Sequence, residues 1–171
     1  MAYFIFNTKI VETLDWGKLG INLRGRIMKR VHFKVMDHWR TVYLPRHFKQ
    51  FSRKKYHHDT RSPKYLRRKR RLAKAGFAKD GGGVDNVLTG TFKDLVLNWS
   101  KIKAFPSRAR LVTFGPRYVT MQPRGGGLPH IWDETTRVTP VEEKKMGQLM
   151  MDWLVEEIEQ GAKRKRKTTR V

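Results

Sequence analysis

The sequence holds no cysteine among its 171 residues. That absence excludes disulfides, thiolate chemistry and cysteine-based zinc sites, and it allows a reducing compartment. Acidic residues are scarce: 15 Asp and Glu stand against 38 Lys and Arg, a formal net charge of +23. No stretch reaches the about 18 to 20 apolar residues that a membrane helix needs, so no membrane partner is expected. The glycine triplets Gly81-Gly82-Gly83 and Gly125-Gly126-Gly127 lack both the Gly-Lys-Ser/Thr ending of a phosphate loop and the spacing of a dinucleotide fingerprint. They read as loops, and no cofactor is expected.

The chemistry-bearing residues form no catalytic pattern. His57-His58-Asp59 lies in a break, where adjacent histidines seldom aim at one ion and no third ligand follows from spacing, so exposed polar roles are expected. His32 and His38 are not at the i, i+4 spacing of a helical zinc pair and read as packing or surface residues. Asp133, Glu134, Glu142, Glu143, Asp152, Glu156, Glu157 and Glu159 fall on or just before the last helical pattern. Helix capping and a solvated face account for them. No catalytic or metal-binding residue is assigned, and an enzyme is not expected.

What the chain does have is enough hydrophobic content, 39% with 11% aromatic, to bury a core. Its start, Ala2 onward, is apolar and β-prone and reads as a strand over residues 2–14 rather than a signal peptide. From Leu23 the apolar residues recur at helical spacing through Ile27, Val31, Val35 and Trp39, with cations on the other face. Pro45 should kink or end that helix, and Phe48 and Phe51 predict its resumption toward Tyr56. Ser62-Pro63 predicts an N-cap for a helix over residues 64–75, with Gly76 as its C-terminal cap. Alternation from Leu95 to Phe105 predicts a strand, followed by strands at Ala109–Phe114 and Tyr118–Met121. Thr139-Pro140-Val141-Glu142 is a capping box opening a final amphipathic helix that Gly161 should end.

The expected fold is therefore α+β: long basic N-terminal helices, a small antiparallel sheet of about three to four strands and a C-terminal amphipathic helix. Residues 1–162 form one domain with a basic helical arm at about 45–78, and residues 163–171 form a basic tail. Half of the 38 Lys and Arg lie between Arg24 and Lys74. Arg67, Arg68, Lys69, Arg70 and Arg71, with Lys163, Arg164, Lys165, Arg166 and Lys167 in the tail, are the candidate anion- or partner-binding residues. Aromatics interleave the first run (Phe48, Phe51, Tyr56, Tyr65), as in single-strand binders. Charge calls for an anionic partner without saying which.

The order of a basic helix through Lys64–Arg71, a Gly-rich loop, Val87-Leu88-Thr89-Gly90-Thr91-Phe92, a β-hairpin, His130-Ile131-Trp132 and the Thr139–Lys144 helix start is distinctive. It resembles the tail-completion, or virion-morphogenesis, proteins of tailed bacteriophages, the neck and tail-terminator group, over about residues 25 to 160. Phe92 stands where that family usually has leucine. The resemblance implies a non-enzymatic structural virion protein that forms a homo-oligomeric ring, often a hexamer, at the head–tail junction, assembled in the host cytoplasm. Its partners would be copies of itself, the neck or connector proteins, the tail-tube proteins, and DNA in the channel. Trp39, Phe92, Trp99 and Trp132 are the candidate subunit-interface residues. The alternatives are a ribosomal or other RNA-bound structural protein, whose basic extensions thread into RNA, and a DNA-packaging protein.

Overall fold

A computed structural model describes residues 2–7, 21–49, 51–58, 61–77, 91–113 and 131–168. Strand β1 (Ala2–Asn7) is followed by helix α1 (Ile21–His38), a π-helical turn (Trp39–Tyr43) and a 3-10 turn (Leu44–Phe48). Short helix α2 (Ser52–Lys55), α3 (Pro63–Lys74) and α4 (Thr91–Asn98) come next, then the hairpin of β2 (Lys101–Ala104) and β3 (Arg108–Thr113). Helices α5 (Ile131–Thr136) and α6 (Pro140–Thr168) close the described chain. The class is α+β, mostly helical.

Helix α1 forms because Ile27, Val31, Val35 and Trp39 recur every four residues and all are buried. Its ladder changes pitch where Pro45 approaches, because proline has no N–H to continue it. The chain first widens into the π-helical turn, in which the Leu44 N–H bonds the Trp39 carbonyl, and then tightens into the 3-10 turn with Pro45 at its start. This change of pitch turns Leu44, His47 and Phe48 inward.

Helix α6 lies antiparallel along α1. Glu157 meets Arg30 and Lys34, His38 packs edge-on to Trp153, and Gly161 faces Leu23 and Ile27. One apolar cluster fills this seam: Ile27, Met28, Val31, Val35, Met150 and Leu154. A second joins the turns after α1 to α4, the hairpin and the start of α6, around Trp39, Tyr43, Leu44, Phe48, Phe92 and Leu111. The antiparallel sheet has the order β1-β3-β2, with Tyr3 opposite Val112 and Ile102 opposite Leu111. Helix α1 packs on β2 and β3.

Several expectations are corrected. Residues 91–98 are helical, although Leu95, Leu97 and Trp99 alternate: Phe92 and Val96, one turn apart, are both buried in the same apolar cluster, a spacing that a helix satisfies. Strand pairing begins only at Lys101, and β3 takes β1 as its other neighbour. The expected strand Tyr118–Met121 and both glycine triplets lie outside the described residues. Within the expected arm, the described residues Phe48, Tyr56, Arg61 and Lys69 are buried in the body. Gly161 does not end α6, which runs on to Thr168 and takes in the segment expected to be a separate tail. A glycine inside a helix costs only about 1 kcal/mol, and here a Cβ would already lie 3.8 Å from Leu23 and Ile27. The glycine sits in the helix–helix seam.

The caps follow the sequence. The Ser62 hydroxyl accepts from the Tyr65 N–H (3.2 Å), and Gly76 takes the left-handed conformation (φ 77°) that lets the Phe77 N–H reach the Leu72 carbonyl. At α6 the Glu142 N–H bonds the Thr139 hydroxyl (3.3 Å), and the Glu142 carboxylate accepts from the Thr139 N–H (3.2 Å).

The α1–α6 seam should carry much of the stability. Leu154→Ala, at a fully buried position, is expected to cost about 2 to 5 kcal/mol in urea unfolding. Val155→Ala, one residue on and 52% exposed, should change the midpoint little. Equal effects of the two would show that the seam is not the core.

Candidate interaction surfaces

Among the described residues three carboxylates are buried, and each ties two parts of the chain together. Glu134 on α5 pairs with Arg61 just before α3, both buried. Glu142 accepts from Lys55 and from the Tyr56 hydroxyl (2.8 Å), with Arg46 at 3.9 Å. Glu157 holds Arg30 (3.1 Å) and Lys34 (3.0 Å). These three were expected to cap helices or face water, and only Glu142 caps as well. Burial would raise the pKa of Glu142, but hydrogen bonds from Lys55, Tyr56 and the Thr139 N–H overcome it and hold the carboxyl below its usual range. Glu157 behaves likewise: burial opposes ionisation, and Lys34 and Arg30 outweigh it.

His58 was expected to be exposed and is buried instead, in a stack with His47 and Tyr56. His47 lies 3.6 Å from the Tyr56 ring and 6.0 Å from His58, centre to centre, nearly parallel to both. The Glu134 main chain faces both imidazoles and favours their charged forms, but among the described residues none makes a well-aligned hydrogen bond to any of the four ring nitrogens. Parallel rings at that separation do not converge on an ion, and among the described residues no three His, Cys, Asp or Glu gather as metal ligands. Burial drives His47 down to about 3, and the neighbouring His58 pushes the same way against Glu142. His58 is also lowered by burial, against the pull of Glu134.

The outside is segregated by charge. Helix α3 exposes Lys64, Arg67, Arg68, Arg70, Arg71 and Lys74. Four of the five cations expected to bind anions there are therefore available. The fifth, Lys69, is only 2% exposed and is corrected to a core residue: it sits on the one side of the helix that faces the body. Lys163, Arg164, Lys165, Arg166 and Lys167 continue α6, and their side chains lie outside the described residues. The opposite sign appears earlier on α6, where residues 146–160 contain no Lys or Arg. Its solvent face presents Met151, Asp152, Val155, Glu156 and Glu159.

A groove of about 890 Å³ runs between α1 and β2. Phe33, Ile102, Ala104 and Phe105 form an apolar floor, and Arg26, Lys29 and Lys103 stand around it. Phe33 is 47% and Phe105 40% exposed, high for aromatic rings. Glu157 is the acid among the lining residues and is already paired with Arg30 and Lys34. Phe105 is fixed by its carbonyl, 3.0 Å from His32 Nδ1, and by Arg108 and Arg110 near its ring.

Beside the groove lies an edge of the sheet that is open among the described residues. The Phe105 N–H bonds the Arg108 carbonyl, so that pair faces inward. Antiparallel geometry then alternates: Lys103 and Lys101 bond to β3, and Ile102 and Ala104 turn their N–H and C=O outward. The next outward carbonyl, that of Ser100, is taken by Arg40 (3.3 Å).

Of the residues expected at subunit contacts, Trp39 and Phe92 are corrected to core positions, because both fill the second apolar cluster. Trp99 is 68% exposed and available. Trp132 is on α5, with its side chain outside the described residues. The groove was missed. Its one sequence signal was Phe33, an aromatic out of phase with the Ile27–Val31–Val35 stripe and set among cations. No helix among the described residues is long and apolar enough to cross a membrane. Compared with protein-family models, curated proteins and solved structures, the chain matches none.

Two outcomes follow from this arrangement. His47 and His58 are neutral when folded and take up protons when unfolded, so stability should be complete above about pH 6.5 and fall below it. For His47 the loss should reach about 2 kcal/mol by pH 5, with His58 adding to it in the same direction, before Glu142 and Glu157 begin to protonate and add to it. His47→Phe should remove its share of that slope in urea titrations at pH 7, 6 and 5; an unchanged slope would clear His47 of the role. On α3, changing Arg67, Arg68, Arg70 and Arg71 together to Gln should leave the melting temperature nearly unmoved, whereas Lys69→Glu alone should lower it by several degrees. The reverse order would contradict the burial of Lys69.

Proposed function

We propose that this chain is a non-catalytic structural subunit of a tailed-phage virion. Copies of it close into a ring at the head–tail junction, as neck, tail-completion or tail-terminator protein, and join the connector to the tail. The observation that carries this reading is the separation of charge on one small body. The outer face of α6 is acidic and apolar, while α3 and the α1/β2 groove are basic. Unlike surfaces on one subunit favour head-to-tail contacts, and such contacts close into a ring when the rotation allows. The net charge of +23 on each copy is then offset by acidic neighbouring proteins or by the DNA in the channel.

The order of elements supports the same reading. A hairpin, β2 and β3, follows the Leu88-Thr89-Gly90 segment after one short helix, and an acid-started helix ends the described chain. A second reading, an RNA- or DNA-bound structural protein, is favoured by the six exposed cations of α3. It predicts a monomer that gains its partner only when nucleic acid is supplied, with affinity falling steeply in salt.

Native mass spectrometry of nuclease-treated protein separates the two. A closed ring of a single mass, six copies being the expected number, should form without nucleic acid. Asp152→Lys combined with Val155→Arg should leave the fold intact and return the ring to monomers. A protein that stays monomeric at every concentration, with and without neck or tail proteins, would remove the ring.

A further inference from the structure

We propose that the groove between α1 and β2 binds an extended acidic segment of another protein, which adds to the sheet as a strand beside β2. The inference rests on the reading that this chain works inside a protein assembly, but it names a surface and a partner chemistry that the ring does not require.

The shape of the open edge selects the kind of polymer. Ile102 and Ala104 both point an N–H and a C=O outward, two residues apart, and no partner for them exists among the described residues. A ligand that satisfies both must donate and accept in alternation, at the about 7 Å spacing of alternate strand residues. An extended polypeptide does this. A phosphodiester backbone accepts hydrogen bonds at its phosphates but offers no N–H to the two carbonyls, and a helix has spent its own backbone groups.

The walls select the side chains. An added strand sends one alternate set of residues to the face of Ile102, beside Phe33, which want apolar groups, and the other set to the opposite face, where Lys103 and Phe105 lie. The rim is cationic: Arg26, Lys29 and Lys103 stand there, and Glu157 adds no free acid because Arg30 and Lys34 hold it. Acid alternating with aliphatic is the complementary pattern. Pairing of β2 with β2 of a second copy is disfavoured, since Lys101 and Lys103 of both strands would meet across the new ladder. The edge lysines thus reject self-pairing and admit an acidic strand. Arg40 closes the edge at Ser100 and the hairpin turn closes it at Phe105, so the docking stretch is short and its register defined.

The test uses the full chain and an eight-residue peptide alternating glutamate and valine, with capped ends. Binding is followed by titration, and amide hydrogen exchange is read residue by residue. Saturating peptide should slow exchange at Ile102 and Ala104 by about tenfold or more and leave Lys101 and Lys103, already bonded to β3, unchanged. The same peptide with lysine for glutamate, or with alternate peptide bonds N-methylated, should not bind. Lys29→Glu with Lys103→Glu, both at exposed sites, should weaken binding at least about fivefold. Peptide binding without slowed exchange at Ile102 and Ala104 would overturn strand addition. No binding at millimolar peptide, or tighter binding of octathymidylate than of the acidic peptide, would overturn the acidic segment as ligand. Exchange at these two residues reports on the groove in monomer and ring alike, so failure here is distinct from failure to form a ring.

Discussion

Glu142 is the point where the structure is tied together. Its carboxylate closes the capping box of α6, accepts from Tyr56 and Lys55, and lies within reach of Arg46. One side chain thereby fixes where α6 begins and where the segment after α1 lies against it. A buried carboxylate is costly unless its oxygens are satisfied; here helix backbone, phenol and ammonium together satisfy them. The Tyr56 hydroxyl, held by that carboxylate, has its pKa raised by burial first and by the bond to Glu142 second. This positions the ring against which His47 stacks. The second apolar cluster then closes over Leu44 and Phe48, two residues brought inward by the change in helix pitch at Pro45.

The same logic runs through the other buried acids. In a chain with so few carboxylates, Glu134 neutralises Arg61, a cation that would otherwise be buried alone. Glu157 does less of this, because Arg30 remains half exposed, and an exposed ion pair adds little. Its value lies in alignment: it sets the register of α6 on α1. Among the described residues, three acids are committed to the interior, and Asp152, Glu156 and Glu159 stand exposed together on one stretch of α6. The charge pattern outside is thus partly a consequence of the packing inside.

This division explains what could be read from the residues and what could not. Local chemistry was legible. Ser62-Pro63, Gly76 and the Thr139–Glu142 box each mark a helix end within a few residues of the groups that cap it, so that cause and effect share one turn. The stripe from Ile27 to Trp39 was legible for the same reason. Contacts across long separations were not. Nothing near Glu142 says that Tyr56, 86 residues earlier, donates to it. The run Arg67–Arg71 looks uniformly solvated until the body beneath it buries Lys69 alone. Leu95, Leu97 and Trp99 alternate as a strand would, but a short apolar run is ambiguous between helix and strand. The burial of both Phe92 and Val96 in one apolar cluster, a helical turn apart, decides it. The groove was hidden for the opposite reason. Its floor joins Phe33 to Ile102 and Phe105, residues far apart in sequence and unremarkable one by one.

The sheet edge and the charge bear on each other through β2. Lysine on an edge strand is a common guard against aggregation, and for an isolated domain that role would be enough to explain Lys101 and Lys103. A pure guard, however, is best served by a wholly polar edge. Here the lysines alternate with Ile102 and Ala104 and stand beside two half-exposed phenylalanine rings, which adds apolar surface at the place a guard would protect. Exposed aromatic area beside an open ladder is a liability unless something covers it. The combination of apolar floor, open backbone and surrounding cations is therefore better explained as selection than as exclusion. Each component rejects a different wrong partner: the lysines reject another copy of β2, the phenylalanines a wholly polar chain, and the outward carbonyls a ligand that cannot donate.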